Sequence, residues 1–327
     1  MKKWLLVVSV MAIMAVAGCS SSEAKEGNGK EQSYDYTIGV SQIVEHPSLD
    51  AAQEGFKAAF DEADLSVKFD VQLAQGDAKN NQTIADNFVG DEVDLIFANS
   101  TGSAQSALNA TDDIPIVFTS VTDPVGSNLV DSMEAPGGNV TGTTDTHPDA
   151  IPNTISFMKE EMGVEKVGML YNPSEQNSSS QVERVKEIAG DQLEIKTATV
   201  TTSAEVKQAA ESLAGKVDAL YIVTDNTVVS ALESVLIVGQ EEDTPVLVGE
   251  LDSVERGGFA AYGFDYYDIG FEAGQKAIEI LEEGKNPGDI EVSYPQNLKL
   301  QINQKAAEEM GVDIQDDWKE EAEIIEK

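Results

Sequence analysis

Short apolar runs alternate with longer amphipathic stretches from residue 36 onward, the pattern that parallel α/β sheets require. Residues 37–41 form a first apolar run, and in 67–73 Val67, Phe69, Val71 and Leu73 recur at every second position, so both read as strands. Between them, 49–62 bring Leu49, Ala52, Phe56 and Phe60 near one helical face. The same reasoning predicts helices over 80–89 and 103–110, and strands over 93–98, 114–118 and 140–143.

A second half then repeats the first. Residues 166–171 echo the opening strand, 217–221 echo 93–97, and 244–248 mirror 114–118. The register continues past the strand, since Ser106-Ala107-Leu108 corresponds to Ser230-Ala231-Leu232. A repeat of this length predicts two copies of one domain plan rather than a solenoid. A strand over 257–263, a helix over 268–282 with Ile269, Ala273, Ala277 and Leu281 four apart, an extended segment over 298–302, a short helix and an acidic tail complete the chain.

The amino-terminal segment has a different character. Lys2 and Lys3 precede an apolar stretch, 4–17, that is too short to span a bilayer comfortably, and small residues lead to Cys19. This reads as a secretory signal, 1–18, whose Val16-Ala17-Gly18-Cys19 ending resembles the bacterial lipobox. Cys19 is the single cysteine, so an internal disulfide or a cysteine zinc cluster is excluded and acylation is the expected chemistry. A polar stretch, 19–35, follows as a flexible tether. The expected location is the extracytoplasmic face of the cell membrane, held by lipid.

The formal net charge of −38 repels phosphate backbones, which argues against nucleic acid as a partner. Catalytic signatures are scarce. His46 and His147 are the only histidines and form no His-Glu-x-x-His motif, and neither a Gly-x-Ser-x-Gly elbow nor a phosphate loop is present. No enzyme activity, cofactor or metal site is expected.

A binding site is easier to place, because ligands of open parallel sheets lie beyond the carboxyl ends of the strands. Those ends carry Ser41 and Gln42; Asn99, Ser100, Thr101 and Ser103; and Thr119, Thr122 and Asp123. The second copy offers Asn172, Glu175, Asn177 and Ser178; Thr224, Asp225 and Asn226; and Glu250. Helix capping alone would account for any single one of them, but the set recurs at equivalent positions in both copies. Arg184 and Arg256 are the only arginines and lie outside these loops, so a bound carboxylate would rely on backbone amides and the hydroxyls of Thr101 or Ser103. Asp123, Asp225 and Glu250 would suit an ammonium group, with Asp225 the foremost candidate. Together these groups describe a zwitterion, of which an amino acid is the simplest.

The stretch 38–50, with its Ile-Gly-Val-Ser-Gln-Ile-Val-Glu-His-Pro-Ser-Leu-Asp run, resembles the ABC transporter substrate-binding proteins of the tryptophan/tyrosine uptake type. Further blocks similar to that family are 119–126, 137–143, 224–227 and the segment from Tyr262-Gly263 to Tyr266-Tyr267, which adds Tyr266 to the candidate site. The resemblance covers nearly the whole chain after the signal. It implies the type I periplasmic-binding fold: two similar Rossmann-like domains with parallel sheets, joined by three crossing strands and closing around a ligand such as an aromatic amino acid. By that plan the first domain comprises 36–145 plus 264–290, the second 146–263 plus 291–315, with 316–327 as the acidic tail. The implied partners are a membrane permease and its ATPase, with the receptor itself a monomer. A sensory binding protein using the same cleft, and a surface hydrolase, are the alternatives.

Overall fold

A computed structural model describes residues 34–326; the signal 1–18, Cys19 and most of the tether lie outside the described residues. The first lobe is β1 (Tyr36–Gln42), α1 (Pro47–Glu62), β2 (Val67–Leu73), α2 (Ala78–Gly90), β3 (Leu95–Asn99), α3 (Thr101–Ala110), β4 (Ile116–Val121) and β5 (Val140–Thr144). Its five strands are all parallel in the order β2-β1-β3-β4-β5.

The second lobe contains α4 (Ala150–Ser156), β6 (Lys166–Tyr171), α5 (Gln176–Ala189), β7 (Glu194–Thr199), α6 (Val206–Leu213), β8 (Ala219–Ile222), α7 (Asn226–Val229), α8 (Leu232–Glu241), β9 (Val246–Val248), α9 (Leu251–Glu255) and β10 (Ala260–Gly263). The chain then forms α10 (Tyr266–Glu283), β11 (Lys299–Asn303), α11 (Gln304–Glu309), α12 (Asp316–Glu321) and β12 (Glu323–Ile325). The run β7-β6-β8-β9-β10 reproduces the strand order of the first lobe, and β11 (antiparallel to β10) and β12 extend this sheet to seven strands.

α10 belongs to the first lobe although it follows the second-lobe strands. It lies along α1 with the two backbones almost touching: a Cβ on Gly55 would overlap the carbonyl of Tyr267, and one on Gly270 the carbonyl of Ala52. Only glycine permits that approach. Beneath α1, Phe56 stacks on Phe97 at 3.8 Å and meets Phe60 at 5.3 Å, so one helical face of aromatics anchors the sheet.

The chain passes between the lobes three times, after β5, between β10 and α10, and before β11. The last passage begins later than the expected boundary at 291. Val292 N donates to Met133 O (2.7 Å) and Ser293 pairs with the β5 edge through Gly142 and Thr144, so residues 292–293 stay with the first lobe. The segment expected as an acidic tail is folded as well. Trp318 is buried in the second core and β12 pairs with β11, because Trp318, Ile324 and Ile325 supply apolar groups that the surrounding acids do not disclose.

Candidate functional site

On the first lobe, the strand ends are held by a small hydrogen-bond network. Asn99 is its centre: Nδ2 donates to Gln42 Oε1 (3.0 Å) and Leu49 O (2.7 Å), while Oδ1 accepts from the Ser120 hydroxyl (2.8 Å). Ser100 and Ser120 adopt positive φ (138° and 56°), which costs a non-glycine residue about 1–3 kcal/mol and is characteristic of sites where loop geometry is over-determined. Ser100 Oγ caps α3 by accepting from Ser103 N (3.2 Å), the Ser103 hydroxyl donates to Asn81 Oδ1 (3.2 Å), and the Thr119 and Thr143 hydroxyls pair at 2.9 Å. Two buried hydroxyls on this edge, Ser41 Oγ and Thr101 Oγ1, have no hydrogen-bond partner.

The second lobe spends its polar groups on itself. Asp225, fully buried, accepts from Val228 N through Oδ1 (2.8 Å) and from Asn172 N through Oδ2 (2.6 Å). Burial, and then the charge of Glu175, push its carboxyl above the usual range despite those bonds. Glu175 closes the start of α7 with four contacts: Oε2 accepts from the backbone and side-chain amides of Asn226 (3.0 and 2.7 Å), and Oε1 from the Thr227 amide and hydroxyl (3.0 and 2.7 Å). Asn177 Nδ2 donates to Thr224 O (2.9 Å) beside buried Ser178, and Gln181 Nε2 donates to the Thr224 hydroxyl (2.7 Å).

Two features lie between the lobes. One is a cavity of about 450 Å³ to which both lobes contribute. The first lobe supplies Ile43, Val44, Gln75, Asn81, Thr101, Gly102 and Gln105, and the second Asn172, Glu175, Gln176, Asn177, Thr202, Asn226 and Thr227, among others. Glu175 is the one charged residue in this lining, in a chain with 59 Asp and Glu. The other is a buried seam. Ser48 at the start of α1 donates to Glu250 Oε2 across the lobes (3.0 Å), and Ser253 donates to the same oxygen (2.8 Å). Near the crossings Asp145 accepts from Thr122 (2.9 Å) and Tyr266 (3.2 Å).

The seam contains titratable groups in unusual states. Burial pushes Asp145 up to about 6 and raises Glu250, and burial pushes His46 down to about 4 against the pull of Asn226. Arg256, whose positive charge reaches both Glu250 and His46, is held by two bonds of 2.9 Å to Glu233.

Of the residues expected from the sequence, Thr101, Asn172, Glu175, Asn177 and Asn226 meet in the cavity. Glu250, Thr122 and Tyr266 fall on the seam, and Thr122 and Asp123 also border a crevice of about 390 Å³ beside the crossings. Ser41, Gln42, Asn99, Ser100, Ser103, Thr119, Ser178, Thr224 and Asp225 stand behind these surfaces, buried. Gln75, Asn81 and 201–203 are cavity residues that the sequence reading passed over. Gln75 and 201–203 follow β2 and β7, so the strand-end rule applied to β2 would have found Gln75, and 201–203 as well had β7 been recognised as its counterpart. Among the described residues no cluster of metal-ligating side chains occurs and no helix is long and apolar enough to cross a membrane.

Comparison with known proteins agrees with this architecture. The family model described as "ABC transporter substrate binding protein" matches residues 37–325. A tyrosine-binding protein of Clostridioides difficile is 42% identical over 313 residues, covering 92% of this chain and 89% of that protein. A Streptococcus pneumoniae ABC domain solved in complex with L-Trp is similar at a TM-score of 0.84 and 33% identity, over 89% of this chain and 99% of that one. A ligand-free, open substrate-binding protein from Clostridium difficile matches at 37% identity, with the same coverage of both chains but a TM-score of only 0.66. With two lobes of one strand order, three crossings and a cavity between them, the chain belongs to the ABC transporter substrate-binding protein family and has the type I periplasmic-binding fold.

Proposed function

We propose that this protein is an extracytoplasmic receptor that captures an aromatic amino acid between its lobes and delivers it to an ABC permease and its ATPase. The observation that carries this reading is the interlobe cavity, whose size is in the range that holds small organic ligands and whose lining holds a single charged side chain, Glu175, in a strongly acidic chain. A lining of amides and hydroxyls with one satisfied carboxylate suits a ligand of no net charge, as a zwitterion is. The identity to a tyrosine-binding protein and the likeness to a tryptophan-bound domain support tyrosine or tryptophan as that ligand. Ile43, Val44 and Ala78 give the cavity apolar surface for a side chain, and Phe264 and Tyr266 stack at 5.5 Å beside the seam.

Cys19 serves as the lipid anchor in this reading, holding a monomeric receptor at the membrane through the tether. Changing Cys19→Ser is expected to release the protein from salt-washed membranes without altering ligand binding; normal retention would contradict the anchor. The functional test is a calorimetric and thermal-shift series over the twenty amino acids with the soluble protein. Tyrosine or tryptophan at a hundredfold excess over Kd should stabilise the fold by about 2.7 kcal/mol. Stabilisation by a sugar or an anion, with no response to any amino acid, would overturn the assignment.

A further inference from the structure

Two buried polar atoms of the seam have no hydrogen-bond partner: His46 Nδ1 on the first lobe and Arg256 Nη1 on the second. His46 immediately precedes α1 and is 5% exposed. The groups that act on its ring come mostly from the other lobe: Asn226 at the start of α7, and Asp252 and Arg256 of α9 and its end. Asp50 is the one such group on α1, and two residues after His46 the Ser48 hydroxyl bonds Glu250 across the seam (3.0 Å).

Asn226 is the hydrogen-bond partner of the ring, and the contact favours the charged imidazole, as an accepting carbonyl oxygen does. Its side-chain amide is already donating to Glu175 (2.7 Å). Because Nδ1 has no partner, the contact is made at Nε2, which carries the proton of the neutral ring. A second proton would go to Nδ1, where no acceptor faces it and the charge of Arg256 opposes it. Asp50 and Asp252 favour the cation, but burial outweighs them and holds the imidazole down at about 4.

Parting the lobes withdraws α7 and α9, gives the ring to water and returns it to its ordinary value of 6.5. Between these values the open form binds a proton that the closed form does not, so protonation and closure compete. We propose that His46 is a proton gate on closure: the lobes shut only over a neutral imidazole, and acidification of the medium opens the cleft and releases the ligand. Asn226 also lines the cavity, which ties the ring to the ligand site. The gate rests on the reading that the lobes close around a ligand, and not on which ligand that is. Two carboxylates of the seam pull the other way. Burial raises Glu250, which bridges the lobes, and Asp145, which is bonded to Thr122 and Tyr266 of the first lobe. The gate is therefore read as a difference between wild type and a protein without the imidazole.

The test is calorimetric titration of L-tyrosine and L-tryptophan into wild type and His46→Gln, each first shown to melt normally at about pH 7.5. The two should bind alike there. At about pH 5.5 wild type should have lost about tenfold in affinity relative to His46→Gln, and about thirtyfold at pH 5. A constant ratio across this range overturns the gate. Nuclear magnetic resonance supplies a second measurement that leaves His46 in place. The chain has two histidines, so His147→Gln leaves a single imidazole signal. That signal should titrate near 6.5 without ligand and below about 5 with saturating ligand; the same midpoint in both states overturns the gate. Should neither amino acid bind at about pH 7.5, the amino-acid reading falls, and small-angle scattering of the ligand-free proteins decides the gate. Wild type opening further than His46→Gln on acidification supports it, and coincident profiles overturn it.

Discussion

The two lobes share one strand order, yet they use the polar residues at their strand ends in different ways. In the first lobe, Asn99, Ser100, Ser103 and Ser120 shape the loop and leave the hydroxyls of Ser41 and Thr101 buried without partners. In the second, Asp225 and Glu175 engage six donors of their own lobe, and Asn177 and Gln181 hold Thr224. A buried polar group without a partner is costly, and evolution tolerates it where something else supplies the partner. The difference teaches that equivalent positions in a duplicated fold diverge into an edge with unpaired hydroxyls, the proposed reading edge, and a self-supporting edge. Similar composition at the two edges does not reveal which is which.

The largest expected effect comes from breaking the self-supporting edge. Asp225→Ala leaves two buried backbone amides unpaired, and at about 1–3 kcal/mol each the loss of stability should be roughly 2–6 kcal/mol in denaturant unfolding. A loss under about 1 kcal/mol would mean that Asp225 supports nothing and is free to serve a ligand.

The seam gives a pH-dependent test. Asp145 has a folded value raised from 3.8 to about 6, so its contribution to stability is full below about 4 and is lost as pH rises through 6. His46, lowered from 6.5 to about 4, works in the opposite sense: acidification over that window favours the unfolded state, which takes up the proton. The two contributions oppose each other, so the informative quantity is a difference between variants. Between pH 6 and 4 the wild type should gain on Asp145→Asn by about 2 kcal/mol, and His46→Gln should gain on the wild type by a similar amount. Parallel pH profiles of all three proteins would contradict the burial of these groups.

A smaller effect is expected at the contact between lobes. Ser48→Ala removes one hydroxyl from Glu250, which keeps Ser253. Small-angle scattering of the ligand-free protein should show a shift toward an open form, by roughly 1–3 kcal/mol in the closing equilibrium, with little change in melting. An unchanged scattering profile would assign closure to other contacts.

How far the sequence foretold this can be argued from particular residues. The opening strand, the sixth strand and the helices beginning near 49 and 268 were legible because their apolar spacing is regular, even though the two helices pack on each other from opposite ends of the chain. β7 was not, because Glu194, Lys196, Thr197 and Thr199 make an edge strand look like a loop. The Ser-Ala-Leu correspondence is real in register yet misleads about structure. Ser106 to Leu108 lie inside α3, whereas Ser230 and Ala231 separate α7 from α8, Ala231 taking φ −123° and ψ 26°. At the strand ends, the chemistry pointed to Thr101, Asn172, Glu175, Asn177 and Asn226, which line the cavity, but it could not say which polar atoms would be satisfied. Asp225 shows why. Its type and position suit an ammonium partner as well as a helix cap, and only the two backbone amides at 2.6 and 2.8 Å favour the cap.

The division between the two edges is tested most directly by titrating tyrosine and tryptophan into wild type, Thr101→Val and Asp225→Asn while following the unfolding of each. The account predicts that Thr101→Val melts like wild type and loses about tenfold or more in affinity. Asp225→Asn, whose amide must turn an N–H toward a backbone N–H, should instead lose about 1–3 kcal/mol of stability and bind with near-native affinity when folded. Normal stability with lost affinity in Asp225→Asn, together with unchanged affinity in Thr101→Val, would place the reading edge on the second lobe and contradict the account.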